Sequence, residues 1–212
     1  YRPQANNSNS ISNSDVRSII EDRQGNLWIG TDGGLNHFNT QSKEFIHYRH
    51  QENDPNSLSN DQIRSIIEDK QGNLWIGTLG AGLNHFNTKT QKFTHYRHQN
   101  SNVNSLSNNT VHSIVVDSHN NLWLGTQGGL NHFNIKTKQF SHYSHQAIDP
   151  NSLSNDIIYT INIKGYINKE DIDLLFNSDS DFMHLTPILL IYSLFALFIS
   201  RPIDFLEIFC VS

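Results

Sequence analysis

Apolar and polar positions alternate in short stretches along most of this chain, and the same stretches return in tandem. Between residues 15 and 60 they form four runs: Val16–Asp22, Leu27–Thr31, Leu35–Asn39 and Glu44–His50. Each is rich in β-branched and aromatic side chains and is bounded by Gly, Asn, Asp or Ser, the composition of a short strand between turns. None keeps a 3.6-residue apolar period over the roughly 10–12 residues a helix needs. The joint Asp22-Arg23-Gln24-Gly25-Asn26 supplies the Gly and Asn that accept positive φ in a tight hairpin. The stretch Asn53-Asp54-Pro55-Asn56-Ser57 is too rich in turn formers for a strand, so it links one four-strand unit to the next.

The units are copies of one another. Gly25-Asn26-Leu27-Trp28-Ile29-Gly30-Thr31 returns as Gly72-Asn73-Leu74-Trp75-Ile76-Gly77-Thr78 and again as Asn120-Asn121-Leu122-Trp123-Leu124-Gly125-Thr126. The tryptophans are 47 and 48 residues apart, and the extra residue lies in Thr78-Leu79-Gly80-Ala81-Gly82-Leu83, which is one longer than Thr31-Asp32-Gly33-Gly34-Leu35. An insertion confined to a Gly-rich joint marks a loop, because paired strands cannot absorb it. Four antiparallel strands per roughly 40–50 residues, in tandem, is the pattern of propeller blades, whereas leucine-rich repeats run about 20–29 residues. The sequence therefore predicts an all-β fold, a partial β-propeller of four-stranded antiparallel blades. A blade cannot bury both faces alone, so each must stack on neighbours. Trp28, Trp75 and Trp123 are expected to fill the layers between blades, each burying on the order of 150–250 Å².

Extending the register gives the expected organisation. Residues 1–14 end a preceding blade, since Tyr1-Arg2 falls on Tyr48-Arg49 and Asn9-Ser10-Ile11-Ser12-Asn13 on Asn56-Ser57-Leu58-Ser59-Asn60. Blades occupy 15–60, 61–108 and 109–155, and 156–163 is the first strand of a truncated fourth. Residues 164–212 form a tail outside the repeat. On this register the chain is an interior slice of a longer array. Natural propellers close with about 4–8 blades, and three blades leave two open edges able to pair with other strands.

Charge separates tail from repeats. The tail from 162 onward has three basic residues and seven acidic ones, −4 of the formal −5, so the repeats are nearly neutral. Its residues 185–199 form an apolar run of 15 interrupted by Pro187, short of the roughly 20 that a membrane helix requires. A membrane-spanning segment, an interfacial or buried helix, and non-native sequence from a frame or gene-end change all stay open for it.

Candidate chemistry is sparse. Nine of the 12 histidines repeat in the third and fourth strands: His37, His47 and His50; His85, His95 and His98; His132, His142 and His145. The His-x-x-His spacing suggests a metal, but His47 and His50 would point to opposite faces of a strand, so these side chains are read as packing or edge groups and no metal site is expected. Gly165-Tyr166-Ile167-Asn168-Lys169-Glu170-Asp171 fits the second half of an EF-hand loop, yet Lys164 would occupy a ligand position, which a cation cannot fill. Asn177-Ser178-Asp179-Ser180-Asp181 lacks the Gly and Glu that would follow in such a loop. There is no Gly-x-Ser-x-Gly, no phosphate-binding loop and no nucleophile–base pair at a known spacing, so neither catalytic residues nor cofactors are expected. The single Cys210 excludes an internal disulfide. A net −5 without a basic stripe excludes nucleic acid as the expected partner.

The unit Ile19-Ile20-Glu21-Asp22-x-x-Gly25-Asn26-Leu27-Trp28-Ile29-Gly30-Thr31-x-Gly33-Gly34-Leu35-Asn36-x-Phe38, then Phe45-x-x-Tyr48 and Ser57-Leu58-Ser59-Asn60, resembles the two-component regulator propeller repeat. The resemblance covers about three quarters of the chain in three full copies. It implies the periplasmic sensor region of a bacterial histidine kinase, a hybrid two-component system or a diguanylate-cyclase protein. In that family a β-sandwich, a membrane helix and an output domain usually follow. None is recognisable here, so kinase activity would belong to a parent protein. The implied ligand is extracellular, with carbohydrate as the family-level expectation; the implied neighbours are further blades of the same parent. A structural or adhesive propeller without output, and more remotely a propeller lyase, are the competing readings. Asp32, Leu79 and Gln127 hold equivalent loop positions but differ chemically while their neighbours are nearly identical, which makes them the candidate ligand contacts.

Overall fold

The computed structural model describes residues 1–4, 7–149, 151–164 and 205–210. The apolar run 185–199, the EF-hand-like run 165–171 and the acidic run 177–181 lie outside the described residues.

Three four-stranded antiparallel sheets follow one another along the chain. Blade 1 consists of β1 (Val16–Glu21), β2 (Leu27–Thr31), β3 (Gly34–Phe38) and β4 (Phe45–Tyr48). Blade 2 consists of β5 (Ile63–Glu68), β6 (Leu74–Thr78), β7 (Leu83–Asn87) and β8 (Lys92–Tyr96). Blade 3 consists of β9 (Val111–Val116), β10 (Leu122–Thr126), β11 (Gly129–Asn134) and β12 (Gln139–Tyr143). Each sheet keeps its strands in chain order, and the strands fall on the four runs read from the sequence. The sheets are stacked through their first strands: β1 meets β5, β5 meets β9, and β9 meets β13 (Ile158–Lys164). The set is unclosed.

One finding had no counterpart in the repeat pattern. β14 (Phe205–Cys210), from the tail, pairs antiparallel with β13, with Ile161 opposite Ile208 and Ile158 opposite Cys210. In blade 3 the equivalent partners of Ile114 and Val111 are Leu124 and Thr126. The tail strand thus occupies the slot of a second blade strand without carrying the Gly-Asn-Leu-Trp motif.

The packing layers repeat residue for residue. Between blades 1 and 2 the core gathers Trp28, Leu35, Leu58, Ile63, Ile66, Leu74, Ile76, Phe86 and Phe93. Between blades 2 and 3 it gathers Trp75, Leu83, Leu106, Val111, Ile114, Leu122, Leu124, Phe133 and Phe140. Trp28 meets Phe86 of the next blade edge-on at 5.6 Å, and Trp75 meets Phe133 at 5.5 Å. Such aromatic pairs add about 0.5–1.5 kcal/mol beyond the area they bury. Tyr48 and Tyr96 each lie 4.9 Å from the same phenylalanines, and Tyr1 lies 5.0 Å from Phe38 in the matching place on blade 1. The register that sets Tyr1 on Tyr48 is therefore also a register in space.

Polar groups tie the hairpins of blades 1 and 2 to their tryptophans. The Asp22 and Asp69 carboxylates accept two backbone amides of their own turns, at 2.9 Å each. Their second oxygens accept the indole N–H of Trp28 (3.1 Å) and Trp75 (3.2 Å). In blade 3 the same oxygen of Asp117 faces His132 Nε2 at 3.4 Å. Burial raises the Asp117 carboxyl, but hydrogen bonds from His132 and from the amides of Asn121 and His119 outweigh it, and the net shift is downward.

The nine repeated histidines have structural partners of three kinds. His37, His85 and His132 lie against the tryptophan of their own blade at 4.2, 4.4 and 4.6 Å. His47, His95 and His142 donate from Nε2 to the carbonyls of Ser10, Ser57 and Ser105. His50, His98 and His145 donate from Nδ1 to the carbonyls of Leu58, Leu106 and Leu153. His47 and His50 thus serve two different carbonyls, clamping the segment between blades to the fourth strand.

These rings make stability pH-dependent. Burial lowers the pKa of His37, His85, His95 and His112 below the ordinary 6.5. The unfolded chain then takes up protons before the folded one does, so stability is complete above 6.5 and declines as pH falls from there toward the lowered folded values. Thermal unfolding should show a level midpoint from about pH 9 to 7.5 and a falling one from 7 to 5.5. His85→Gln should flatten the fall; an unchanged slope would contradict the assignment.

Candidate functional site

Every first strand contains one residue too many. Opposite β2, Val16 pairs with Thr31 and Ser18 with Gly30, which leaves Arg17 as the extra residue of a bulge. The same irregularity leaves Arg64 in β5, His112 in β9 and Tyr159 in β13 without a ladder partner. A bulge bends its strand and re-aims the side chain of the extra residue. Its flanks are fixed: Ser18, Ser65 and Ser113 each accept, through Oγ, the amide of Ile66, Ile114 and Ile161 in the following blade at 3.1–3.2 Å. The backbone around the bulge is therefore shared by all the blades, while the bulged side chain is Arg, Arg, His and Tyr in turn.

The loops between second and third strands close over these bulges. Asp32, Leu79 and Gln127 donate their amides to the carbonyls of Asp15, Gln62 and Thr110, at the approach to each first strand. This backbone equivalence gives the three sequence candidates the same place in successive blades. The structure does not bring their side chains together. Asp32 alone joins a network: Arg17 reaches it at 2.9 Å from its own blade and Arg64 at 2.6 Å from the next. The hydrogen bond from Arg17, helped by that from Arg64, holds the Asp32 carboxyl below its ordinary value against partial burial. Leu79 is half-buried and Gln127 exposed.

The bulge series continues into aromatic contacts. The His112 ring lies 4.6 Å from the Tyr159 ring, which is 46% exposed. His112 Nε2 is buried and has no hydrogen-bonding partner. Its pKa is lowered by burial first and by the neighbouring Arg64 second, so at neutral pH the ring is an uncharged donor or acceptor. Arg17, Arg64, His112 and Tyr159 thus form one row across successive first strands, with Asp32 paired to the first two, offering two guanidinium groups, an imidazole and a phenol ring. Of these five, Asp32 is among the sequence candidates and the other four are not. The signal was present as chemical divergence at one register position, but a bulge does not announce itself in a strand pattern.

Trp28, Trp75 and Trp123 occupy structural places, 5%, 0% and 0% exposed. Among the described residues no group of three or more His, Cys, Asp or Glu is placed to hold a metal ion, and no helix is long and apolar enough to cross a membrane.

Comparison with known proteins places this geometry in context. The family model described as two component regulator propeller matches residues 10–33, 57–80 and 105–128, one stretch per blade from the linker through the second strand. Among solved structures, the extracellular domain of a hybrid two-component system from B. thetaiotaomicron is 32% identical over 72% of this chain, with a TM-score of 0.64. The extracellular domain of a one-component system from the same organism is 27% identical over 75% of the chain, with a TM-score of 0.58. The chain spans 21% of the length of each of these two domains. A virginiamycin B lyase from Staphylococcus aureus shares the fold at 11% identity over 72% of this chain and 44% of its own, with a TM-score of 0.50. No curated protein sequence matches.

Proposed function

We propose, since this chain belongs to the two-component regulator propeller family, that it is a run of blades from the extracytoplasmic, ligand-sensing propeller of a bacterial two-component receptor. The parent is a histidine kinase or hybrid kinase, and these residues serve it without catalysis. Ligand binding on the propeller is passed to an output domain as a shift between pre-existing arrangements. Further blades of the parent cover the open face of blade 1. Val16 and Ile19 are 40% and 57% exposed there, whereas their equivalents Ile63, Ile66, Val111 and Ile114 are 0–5% exposed beneath a neighbour.

One observation carries the reading: the bulge residues Arg17, Arg64, His112 and Tyr159 diverge while the backbone that presents them stays the same. Packing asks the same of each blade, so a change of chemistry along a row whose backbone stays the same fits a surface specialised for a ligand. Guanidinium and imidazole groups beside an exposed phenol ring suit an extracellular carbohydrate, whose hydroxyls need donors and acceptors and whose C–H faces lie on aromatic rings. Calorimetric titration of the chain with a panel of plant and host oligosaccharides tests this. A binder should weaken about tenfold, roughly 1.4 kcal/mol, in Arg64→Ala and in His112→Ala. Arg17 still pairs with Asp32 in the first variant. Absence of any binder would remove carbohydrate as the ligand, and a binder indifferent to both substitutions would remove the bulge row as its site.

A further inference from the structure

The two complete inter-blade layers differ at the turn before the fourth strand, and the difference exposes a second site. Between blades 2 and 3, Lys138 at the turn before β12 extends over the aromatic layer. Its Nζ lies 5.8 Å from the Trp75 ring and 5.9 Å from the Tyr96 and Phe133 rings. Burial pushes the Lys138 pKa below its ordinary value, and the Asp69 carboxylate, which accepts the Trp75 indole, offsets part of that. Ring faces attract a cation within about 6 Å of their centroids, so this layer contains an ammonium group over three rings, with a carboxylate in the same layer.

The layer between blades 1 and 2 repeats the rings and the carboxylate without the ammonium. Trp28, Tyr48 and Phe86 stand where Trp75, Tyr96 and Phe133 stand, and Asp22 stands where Asp69 stands. The turn residue is Gln91, which shares the left-handed conformation of Lys138, with φ of 56° against 61°. Here there is a cavity of about 410 Å³ lined by Trp28, Tyr48 and Gln91, by the carboxylates of Asp22 and Glu68, and by the cations Arg23 and Lys89. Glu68 adds a second carboxylate, 3.7 Å from Arg23, at a register position that is Val116 in the following blade. The cavity thus repeats the Trp and Tyr walls and the carboxylate of the occupied copy and adds Glu68, whose charge Arg23 partly offsets.

We propose that the cavity between blades 1 and 2 binds an alkylammonium group, a primary amine on a short apolar stem, in the place that Lys138 fills between blades 2 and 3. The site is separate from the bulge row: its lining comes from the hairpins between first and second and between third and fourth strands and from strand residues such as Trp28, Tyr48 and Glu68, and includes none of Arg17, Arg64, His112 and Tyr159. It stands or falls independently of the sensing function.

The test is a titration of the chain with n-butylammonium chloride, followed by the indole N–H resonances of the three tryptophans. The Trp28 resonance should move saturably, Trp123 should not, and sodium chloride at equal concentration should not reproduce the shift. Gln91→Lys supplies the ammonium internally and should abolish the Trp28 response. Lys138→Gln empties the second copy and should make Trp75 responsive. A Trp28 resonance that does not saturate, that sodium chloride moves equally, or that still responds in Gln91→Lys would overturn the proposal.

Discussion

Replacing Trp75 by alanine is expected to lower the stability of the chain by about 3–5 kcal/mol, the cost typical of a fully buried tryptophan. Its side chain is 0% exposed and is a central member of the layer between blades 2 and 3. Three losses combine. The cavity removes contact with Phe133 and Tyr96, at 5.5 and 5.8 Å; Lys138 loses one of the rings beneath it; and the buried Asp69 oxygen loses its indole donor. A domain of this size holds only about 5–15 kcal/mol in total. At roughly 2–4 °C per kcal/mol, the thermal midpoint should fall by about 6–20 °C. Trp75→Phe keeps most of the ring and deletes the donor, so it should fall between wild type and Trp75→Ala. Equal midpoints for wild type and Trp75→Ala would show that this layer is not a core.

The second large effect is expected at Gly82. Its φ of +85° lies in the left-handed region, and a Cβ there would overlap the Tyr96 carbonyl oxygen and come within 3.3 Å of Arg97 Cγ. The backbone cannot retreat, because the Gly82 amide donates to the Asn109 carbonyl across the blade boundary at 2.7 Å. Gly82→Ala should therefore add the steric cost of overpacking, about 1–3 kcal/mol, to a conformational cost of about 1–2 kcal/mol. Gly80 provides the control in the same loop. Its φ is +78°, but a Cβ there would meet no heavy atom within 4 Å, so Gly80→Ala should show the conformational cost alone. Denaturant midpoints for the two variants separate the terms, and equal losses would contradict the close approach at Tyr96.

Much of this fold could be read from the chain because its constraints are local and repeated. Trp28, Trp75 and Trp123 return with the same Gly-Asn-Leu or Asn-Asn-Leu run before them, and the hairpin Asp that caps each turn lies six residues upstream of the ring, which it bonds in blades 1 and 2. The histidines too were readable as structural, since their placement recurs in every blade. What could not be read depends on partners far apart in sequence. Arg17 and Arg64 look like solvated strand residues until the bulge turns them onto Asp32. The exchange of Lys138 for Gln91 matters only once the two layers are superposed. Nothing in Phe205–Cys210 resembles a blade strand, and its pairing with β13 follows from the open edge left where the motif ends.

Blade-on-blade stacking underlies the scaffold, the bulge row and the cavity alike, and a double-mutant cycle on Trp75 and Phe133 tests it most directly. The two residues belong to different blades, with their rings at 64° and 5.5 Å. Trp75→Leu, Phe133→Leu and the double variant should give a coupling of about 0.5–1.5 kcal/mol in denaturant unfolding. Additivity within about 0.3 kcal/mol would mean that the two blades do not meet through this pair, and would contradict the stacked arrangement.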